Sequence, residues 1–573
     1  MPDHLTDSRD SVSIVLAGEA GQGIQTVEYV LTRVFKLSGY NVFSSTEFMS
    51  RIRGGVNSSE IRISSGRVSA FVDRMDILIP LSKGALHHVK ERFSPETIIL
   101  GEKENFQKEY RGSQDMVIDI PFSRMASDVG SKIYSNTVAV GVLSGLFKVE
   151  IDILEGYLKK HFSPKGEEII EKNIEAARKG YGIARDLVAS GKIHMEIQRN
   201  PKVANEILLN GAEAVALGAI GGGCNFVSFY PMSPSTSVAV FLARYSQDFD
   251  IVVEQAEDEI SAINMAIGAW YAGARAMVTT SGGGFALMVE GLSLAGMLEM
   301  PVVIHLGQRP APATGLPTRT EQADLLFTIH AGHGEFPRII LTPGNTQDVF
   351  YLTQKAFNLA DKYQVPVILL TDQYLLDSYY NIPSLEGSGL KIERYIVKTD
   401  KDYKRYKITP DGISPRGIPG FGEGLVVVDS DEHDEEGHIT ENLSLRTKMV
   451  NKRLKKLELI KGEIIPPELV GSKNYKTLMV GWGSTYHVVK EALEHLGRDD
   501  ISFLHFKQVH PLHPLASDYL KKAKCRVIIE NNATSQFGTL VELCTGIDIE
   551  KKILKYNGLP FSLEEVVESI KTL

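Results

Sequence analysis

Cysteine is scarce in this chain: 573 residues contain three, Cys224, Cys525 and Cys544, far apart in sequence. An iron–sulfur cluster is usually held by four thiolates and a structural zinc ion by four Cys or His ligands, so the chain alone cannot hold a Cys₄ cluster. The three thiols read as reduced, partly buried small hydrophobes. Long apolar runs are also missing, none approaching the roughly 20 residues of a membrane helix. The first residues, MPDHLTDSRDSVS, are polar and acidic and lack the apolar stretch of a secretory signal, so a cytoplasmic location is expected. Charge of one sign is not concentrated: the net value of -9 gives no electrostatic reason to expect nucleic acid or an anionic membrane as partner. Internal repeats and low-complexity tracts are absent.

What is present reads as α/β and multidomain, since the length exceeds what one core can organise. The strand SIVLA (13–17) leads into a glycine turn, Gly18 to Gly23, and a helix from Ile24 to about Leu37 with Val27, Val30, Leu31 and Val34 on one face. Further strands are expected at EIRIS, MDILIPL, TIILG and MVIDI, and the alternation argues for a mostly parallel, Rossmann-like sheet over 1–192. A polar linker runs from about Lys192 to Ala204. A second α/β domain spans 205–380, with strands at NFVSFY, IVVEQ, RAMVTT, PVVIHL, RIILT and VPVILL. Residues 381–470 are charged and rich in Gly and Pro, an irregular insertion or arm that is helical at its end. A third α/β domain, 471–573, carries TLMVGWG, TYHVVKEALEHL, ISFLHF and RVIIEN.

Several segments carry candidate chemistry. GEAGQGI lies between a strand and a helix, where backbone N–H groups and the helix dipole can hold a phosphate; a packing turn is the plain alternative. It is not the GxGxxG fingerprint, which disfavours a nicotinamide dehydrogenase. Arg51 and Arg53 beside Gly54 and Gly55 add two guanidiniums for an anion, or simply surface charge. In Phe229-Tyr-Pro-Met-Ser-Pro-Ser-Thr236, two prolines fix a turn at a strand's carboxyl end, where open α/β sheets place ligands. A helix N-cap accounts for Ser235 or Thr236 but not for Ser233, held between the prolines.

Glu257 and Asp258 fit the first turn of a helix through the dipole alone. Glu259 differs: three and four residues on come Ala262 and Ile263, then Ala266 and Ile267, so it heads the apolar stripe, and a carboxyl directed at a core needs a partner. Thr280-Ser-Gly-Gly-Gly284 is a small-residue turn that lets a flat ring approach the backbone. Arg319, in a Gly/Pro loop after a buried strand, suits bidentate binding of a carboxylate, with a surface arginine as the alternative. His330, His333 and the stretch Asp431 to His438 lack the compact spacing of a zinc motif, and no metal site is assigned.

These motifs in this order resemble 2-oxoacid:ferredoxin oxidoreductases of the type whose γ and α regions are fused, over nearly the whole chain. GEAGQGIQT and RIRGG look like the γ region; YPMSPST, EDEISAINMAIGA, TTSGGGF and TGLPTRTEQADL look like the α region's first domain; GISPRGIPG, DEHDEEGHI, MVGWGST and VIIEN look like its later parts. The resemblance implies a γ-type domain over 1–192, a thiamine pyrimidine-side domain over 205–380 and a transketolase C-terminal-like domain over 471–573. It implies that Glu259 hydrogen-bonds the thiamine aminopyrimidine, with Tyr230 and Pro231 beside the cofactor, that Ser233 stands where the family has a substrate-binding threonine, and that Arg319 pairs with the 2-oxoacid carboxylate. Gly21, Gly23, Arg51 and Arg53 are the implied contacts of coenzyme A.

A Gly-Asp-Gly…Asn diphosphate motif is missing, as are cluster cysteines. Both gaps match family members in which a separate β subunit carries the diphosphate, Mg and a [4Fe–4S] cluster. The implied activity is reversible oxidative decarboxylation: carbon dioxide leaves, electrons pass through the β-borne cluster to ferredoxin, and coenzyme A takes the acyl group. An (αβ)₂ assembly, 2-oxoglutarate as substrate, and no nucleic-acid or membrane partner complete the expectation. Pyruvate or a broad 2-oxoacid range is the alternative substrate, and a non-catalytic regulatory subunit of the same fold the alternative role.

Overall fold

The computed structural model describes residues 10–19, 23–48, 55–106, 110, 112, 116–193, 195–387, 389 and 391–573. They form two compact units, one of residues up to Leu209 with Ser378–Ser384 and Ser562–Glu565, the other of Asn210–Asp377, Leu385–Phe561 and Val566–Leu573. Among the described residues no helix is long and apolar enough to cross a membrane.

In the first unit the strand Ser11–Glu19 is buried along most of its length. The helix Ile24–Leu37 follows it and buries the Val27, Val30, Leu31 and Val34 face that the 3.6-residue period marks. The sheet runs Val117–Asp119, Ile98–Gly101, Ile77–Pro80, Ser11–Glu19, Val56–Ser64, Asn41–Glu47, Tyr379–Ile382, Ile207–Leu209. The expectation of a mostly parallel sheet holds for the four strands from Val117–Asp119 to Ser11–Glu19, which pair parallel, and not for the rest of the sheet. Val56–Ser64 is antiparallel to both of its neighbours, and the last two strands also pair antiparallel. The strand NVFSSTE escapes periodicity because its buried residues run consecutively from Asn41 to Ser44 and the rest, Ser45 to Glu47, is polar and half-buried, so nothing alternates. Ser44 is fully buried and bonds the carboxylate of Glu28, and Thr46 lies 3.3 Å from Ser59 across the pair.

The second unit holds two sheets over one continuous core. The seven-stranded sheet runs Gln508–His510, Ile339–Leu341, Pro366–Asp372, Val302–Gln308, Ala276–Thr280, Phe226–Phe229, Val252–Gln255, parallel except for the first pair. The five-stranded sheet contains Glu468–Gly471, Ile501–Phe506, Thr477–Trp482, Cys525–Glu530 and Lys551–Leu554, and only its first pair is antiparallel.

Between Leu385 and Pro467 the described residues are irregular apart from isolated bridges and the helix Leu443–Lys461. Buried charge holds it in place. Asp361, fully buried, receives Arg416 at 2.6 Å and Arg275 at 3.2 Å. Glu299 receives Lys452 at 2.5 Å and Lys456 at 2.6 Å from the helix, while Arg405 donates to the carbonyls of Leu298 and Glu299. Removing one member of such a cluster leaves uncompensated charge in the interior, so these contacts bind the arm although it has little apolar surface to bury.

Candidate active site

Four neighbouring parallel strands end on the same edge of the seven-stranded sheet: Val302–Gln308, Ala276–Thr280, Phe226–Phe229 and Val252–Gln255. Parallel pairing sends all four carboxyl ends to one side, so the segments after them converge although they are spread over about a hundred residues. Phe226–Phe229 is followed by its outer neighbour Val252–Gln255, and the chain then crosses to Ala276–Thr280 on the other side. The crevice between those two directions is the topological switch point. Tyr230–Thr236 and Ser281–Gly284 border it.

Glu259 opens the helix Glu259–Tyr271 and is 3 % exposed. Asp258, one residue earlier, is the N-cap, and its Oδ1 accepts from Ser261 N at 2.7 Å. The capping task is thereby done by Asp258, and Glu259 Oε1 is buried without a hydrogen-bond partner among the described residues. Burying a carboxyl oxygen unsatisfied is costly, so this position calls for a hydrogen-bond donor.

The turn Ser281–Gly284 touches every side of the crevice. A Cβ on Gly284 would lie 2.5 Å from Glu259 Oε1 and against Thr280 Oγ1; one on Gly283 would face Met232 Sδ and the Ala313 carbonyl; one on Gly282 would strike the carboxyl of Asp324, with Oδ1 at 2.8 Å. At Gly282 and Gly284 glycine is required by close approach, not by backbone angle, whereas Gly283 has room for a Cβ.

Arg309 follows the strand Val302–Gln308 and donates to the Ser233 carbonyl at 2.7 Å. It is buried, and burial lowers its pKa against the opposing influence of Asp324. Asp324 precedes the short helix Leu325–His330 without capping it through its side chain. Its backbone N–H donates to Gln308 Oε1 at 3.0 Å, and its buried Oδ2 has no hydrogen-bond partner. Burial pushes this carboxyl up to about 6, with Arg309 pulling the other way. Glu321, three residues earlier, is raised to about 7 by burial and then by Asp324.

Of the residues expected from sequence, Glu259 and Ser233 lie at this sheet edge, with Tyr230 and Pro231 exposed on the same turn. Ser235 does not cap its helix; its Oγ donates back to the Met232 carbonyl at 2.8 Å. Arg319 lies further along the loop, its Cβ 3.2 Å from where a Cβ on Gly558 would stand, and is half-buried. Gly23 adopts φ 77 ahead of the helix Ile24–Leu37 in the first unit. Gly21, Arg51 and Arg53 lie outside the described residues. Sequence reasoning assigned no role to Arg309 or Asp324. Arg309 had a usable signal, a guanidinium directly after a buried strand, whereas Asp324 looks like any acid before an apolar helical turn.

At the surface Asp434, Glu436 and His438 bring their ligand atoms within 4.8 Å of one another. Their neighbour His433 turns inward and packs on Tyr406 with ring centroids 3.8 Å apart.

Comparison with known proteins adds an independent line. Residues 217–452 match the family described as pyruvate flavodoxin/ferredoxin oxidoreductase, thiamine diP-bdg, and residues 13–183 that described as pyruvate ferredoxin/flavodoxin oxidoreductase. The chain is 34% identical to a 2-oxoacid:ferredoxin oxidoreductase subunit alpha of Sulfolobus sp, covering 98% of this chain and 96% of that one. It is 34% identical to the 2-oxoglutarate synthase subunit KorA of Archaeoglobus fulgidus over 63% of this chain and 98% of that one. Among solved structures it is similar to a 2-oxoglutarate:ferredoxin oxidoreductase from Magnetococcus marinus with 2-oxoglutarate, coenzyme A and succinyl-CoA bound. There the identity is 32%, the TM-score 0.90, and the coverage 98% of this chain and 99% of that chain.

Proposed function

The chain belongs to the 2-oxoacid:ferredoxin oxidoreductase family, among its α subunits, and from that premise we propose that it supplies the pyrimidine side of a thiamine diphosphate site completed by a separate β subunit. The observation that carries this reading is the buried, unpartnered Oε1 of Glu259, beside a glycine turn that a single methyl group would fill. A carboxylate so placed fits the amino-substituted ring of the cofactor. When bound, thiamine diphosphate supplies the carbon nucleophile and electron sink that decarboxylation of a 2-oxoacid needs.

Glu259 would hydrogen-bond the nitrogen of the cofactor's aminopyrimidine ring, and the Ser281–Gly284 turn would let a flat ring approach the backbone. Arg309, whose bond to the Ser233 carbonyl ties it to the substrate turn, is proposed in place of Arg319 for the carboxylate next to the keto group, with the Ser233 hydroxyl as a second contact. Arg319, ten residues on in the same loop, is the candidate for a second carboxylate. Contacts to coenzyme A are proposed for the turn ending at Gly23, including Gly21, and for Arg51 and Arg53.

Dependence on a β subunit is supported by apolar side chains left exposed on the elements that frame Glu259: Val240 at 52%, Val252 at 55%, Ile260 at 48% and Leu287 at 50%. Val252 also lies on the unpaired edge strand of the sheet. An open sheet edge is a ready place for a partner chain to pair, and apolar residues exposed around one site favour such docking. Mg and the [4Fe–4S] cluster are then properties of the β subunit, ferredoxin is the electron acceptor, and an (αβ)₂ assembly is expected.

2-Oxoglutarate is the proposed substrate, on the fused γα organisation and the two guanidiniums of the loop. A broader 2-oxoacid range has its own support, because the Sulfolobus relative, similar over 98% of this chain, carries the general name. Specificity constants of the αβ complex for 2-oxoglutarate and pyruvate decide between them; a preference for pyruvate overturns the choice. The purified chain alone should give no turnover, and appreciable activity without a β subunit would sink the shared-site proposal.

Gly284→Ala offers a sharper local test. Its methyl group displaces the Glu259 carboxyl, and misplacement on the order of 1 Å costs about 100-fold in rate. Activity of the complex should fall by at least that factor with assembly retained on gel filtration.

A further inference from the structure

Asp324 presses its carboxyl on Gly282 at one end of the Ser281–Gly284 turn, as Glu259 presses on Gly284 at the other. Its Oδ2 is buried and has no hydrogen-bond partner among the described residues. The charged groups around it are Arg309, from the end of the strand Val302–Gln308, and Glu321, on its own loop; Gln308 contributes only a neutral acceptor to the Asp324 N–H. Glu259 reaches the same turn from the neighbouring helix. With Asp324 and Glu321 both ionised, this corner sets two negative charges against the one positive charge of Arg309. A 2-oxoacid carboxylate seated on Arg309 adds a third negative charge, and like charges in a desolvated site favour protonation of one of them.

We propose that Asp324 is a positioning residue that takes up a proton from solvent as the anionic substrate binds, so that Arg309 serves the substrate carboxylate and not its own neighbour. Glu321 has the higher free-state pKa, about 7, but Asp324 is the more buried and holds the unsatisfied oxygen, which as a carboxylic acid gains a donor to present to the site. The proton returns to solvent when product leaves. Burial has already raised the free-state pKa to about 6, and a bound anion raises it further. The sign follows: below about pH 6 the residue is protonated beforehand and substrate affinity is flat. Above it, binding needs an extra proton and weakens with rising pH, approaching about tenfold per unit. The inference rests on the reading that Arg309 receives the substrate carboxylate.

The test is KM for 2-oxoglutarate of the assembled αβ complex between about pH 6 and pH 8.5, in wild type, Asp324→Asn, Glu321→Gln and Arg309→Gln. Wild type should show KM climbing with pH while kcat follows a separate profile. The near-isosteric Asp324→Asn should give a low KM that no longer climbs, a change that simple loss of packing does not produce. An unchanged slope in Asp324→Asn overturns the inference, and so does a slope abolished by Glu321→Gln but kept by Asp324→Asn. Arg309→Gln separates the two levels. A KM raised tenfold or more with the Asp324→Asn slope unaltered leaves the Arg309 reading standing and removes only the Asp324 step. An unaltered KM in Arg309→Gln removes both.

Discussion

Replacing Glu259 with glutamine lowers kcat of the assembled αβ complex by about two to four orders of magnitude, the range for loss of a positioned proton-transfer group, while folding and assembly are retained. The stability effect has the opposite sign from that of an ordinary core mutation. Glu259 is 3 % exposed, and its Oε1 has no partner. Removing its charge therefore relieves a cost in the empty chain, and thermal stability should stay level or rise. Electron transfer from 2-oxoacid to ferredoxin and a thermal melt on the same preparations check both halves. Activity that survives the change would instead support a non-catalytic subunit of this fold. A marked loss of stability would make Glu259 a structural residue.

Glu299→Gln should be among the most destabilising single changes in the second unit. Burial opposes ionisation of Glu299, yet Lys456, Lys452 and Arg405 together hold its carboxyl well below the usual range. The lysines shift down as well, Lys456 to about 8, because burial outweighs their share of a single carboxylate. An isolated ion pair would raise a lysine; three cations around one anion do not. Neutralising Glu299 leaves all three cations buried without a counter-charge, at a cost of about 3–5 kcal/mol. The arm carrying Leu443–Lys461 should then become the first site of limited proteolysis. Replacing Lys452 and Lys456 with methionine in the same variant should recover much of the loss, because well-packed apolar residues can substitute for a buried ion cluster. Failure of that rescue would mean the loss comes from packing. The native pKa lies below the unfolded value near 4.5. The stabilisation is therefore complete above that value and fades as pH falls through the native one. Acidification of the wild type should loosen the arm in the same way.

Much of this molecule was legible one residue at a time. The strand at 13–17 and the helix from Ile24 to Leu37 follow from period and punctuation alone. So does most of the parallel run from NFVSFY to VPVILL, whose inner strands, such as Val302–Gln308 and Pro366–Asp372, are buried along their whole length because both faces are covered. Glu259 was legible for the same reason: a carboxylate at the head of an apolar stripe contradicts the pattern around it, and such contradictions gather at functional sites. The strand NVFSSTE was not legible, since its buried residues are consecutive, Asn41 to Ser44, and its polar second half leaves no hydrophobic alternation to detect.

By itself, then, the sequence determined the α/β class, most of the strands and helices, and the inward aim of Glu259, all of which depend on neighbours within a few residues. Only the tertiary structure decided that Gly282 and Gly284 abut Asp324 and Glu259, that Arg309 lies on the Ser233 carbonyl, and that an arm poor in apolar residues is anchored by Asp361 and Glu299. Those relations join residues tens to more than a hundred positions apart. They arise from parallel strands ending on one edge and from charges meeting in an interior that tolerates them only in company, and no local period records either fact.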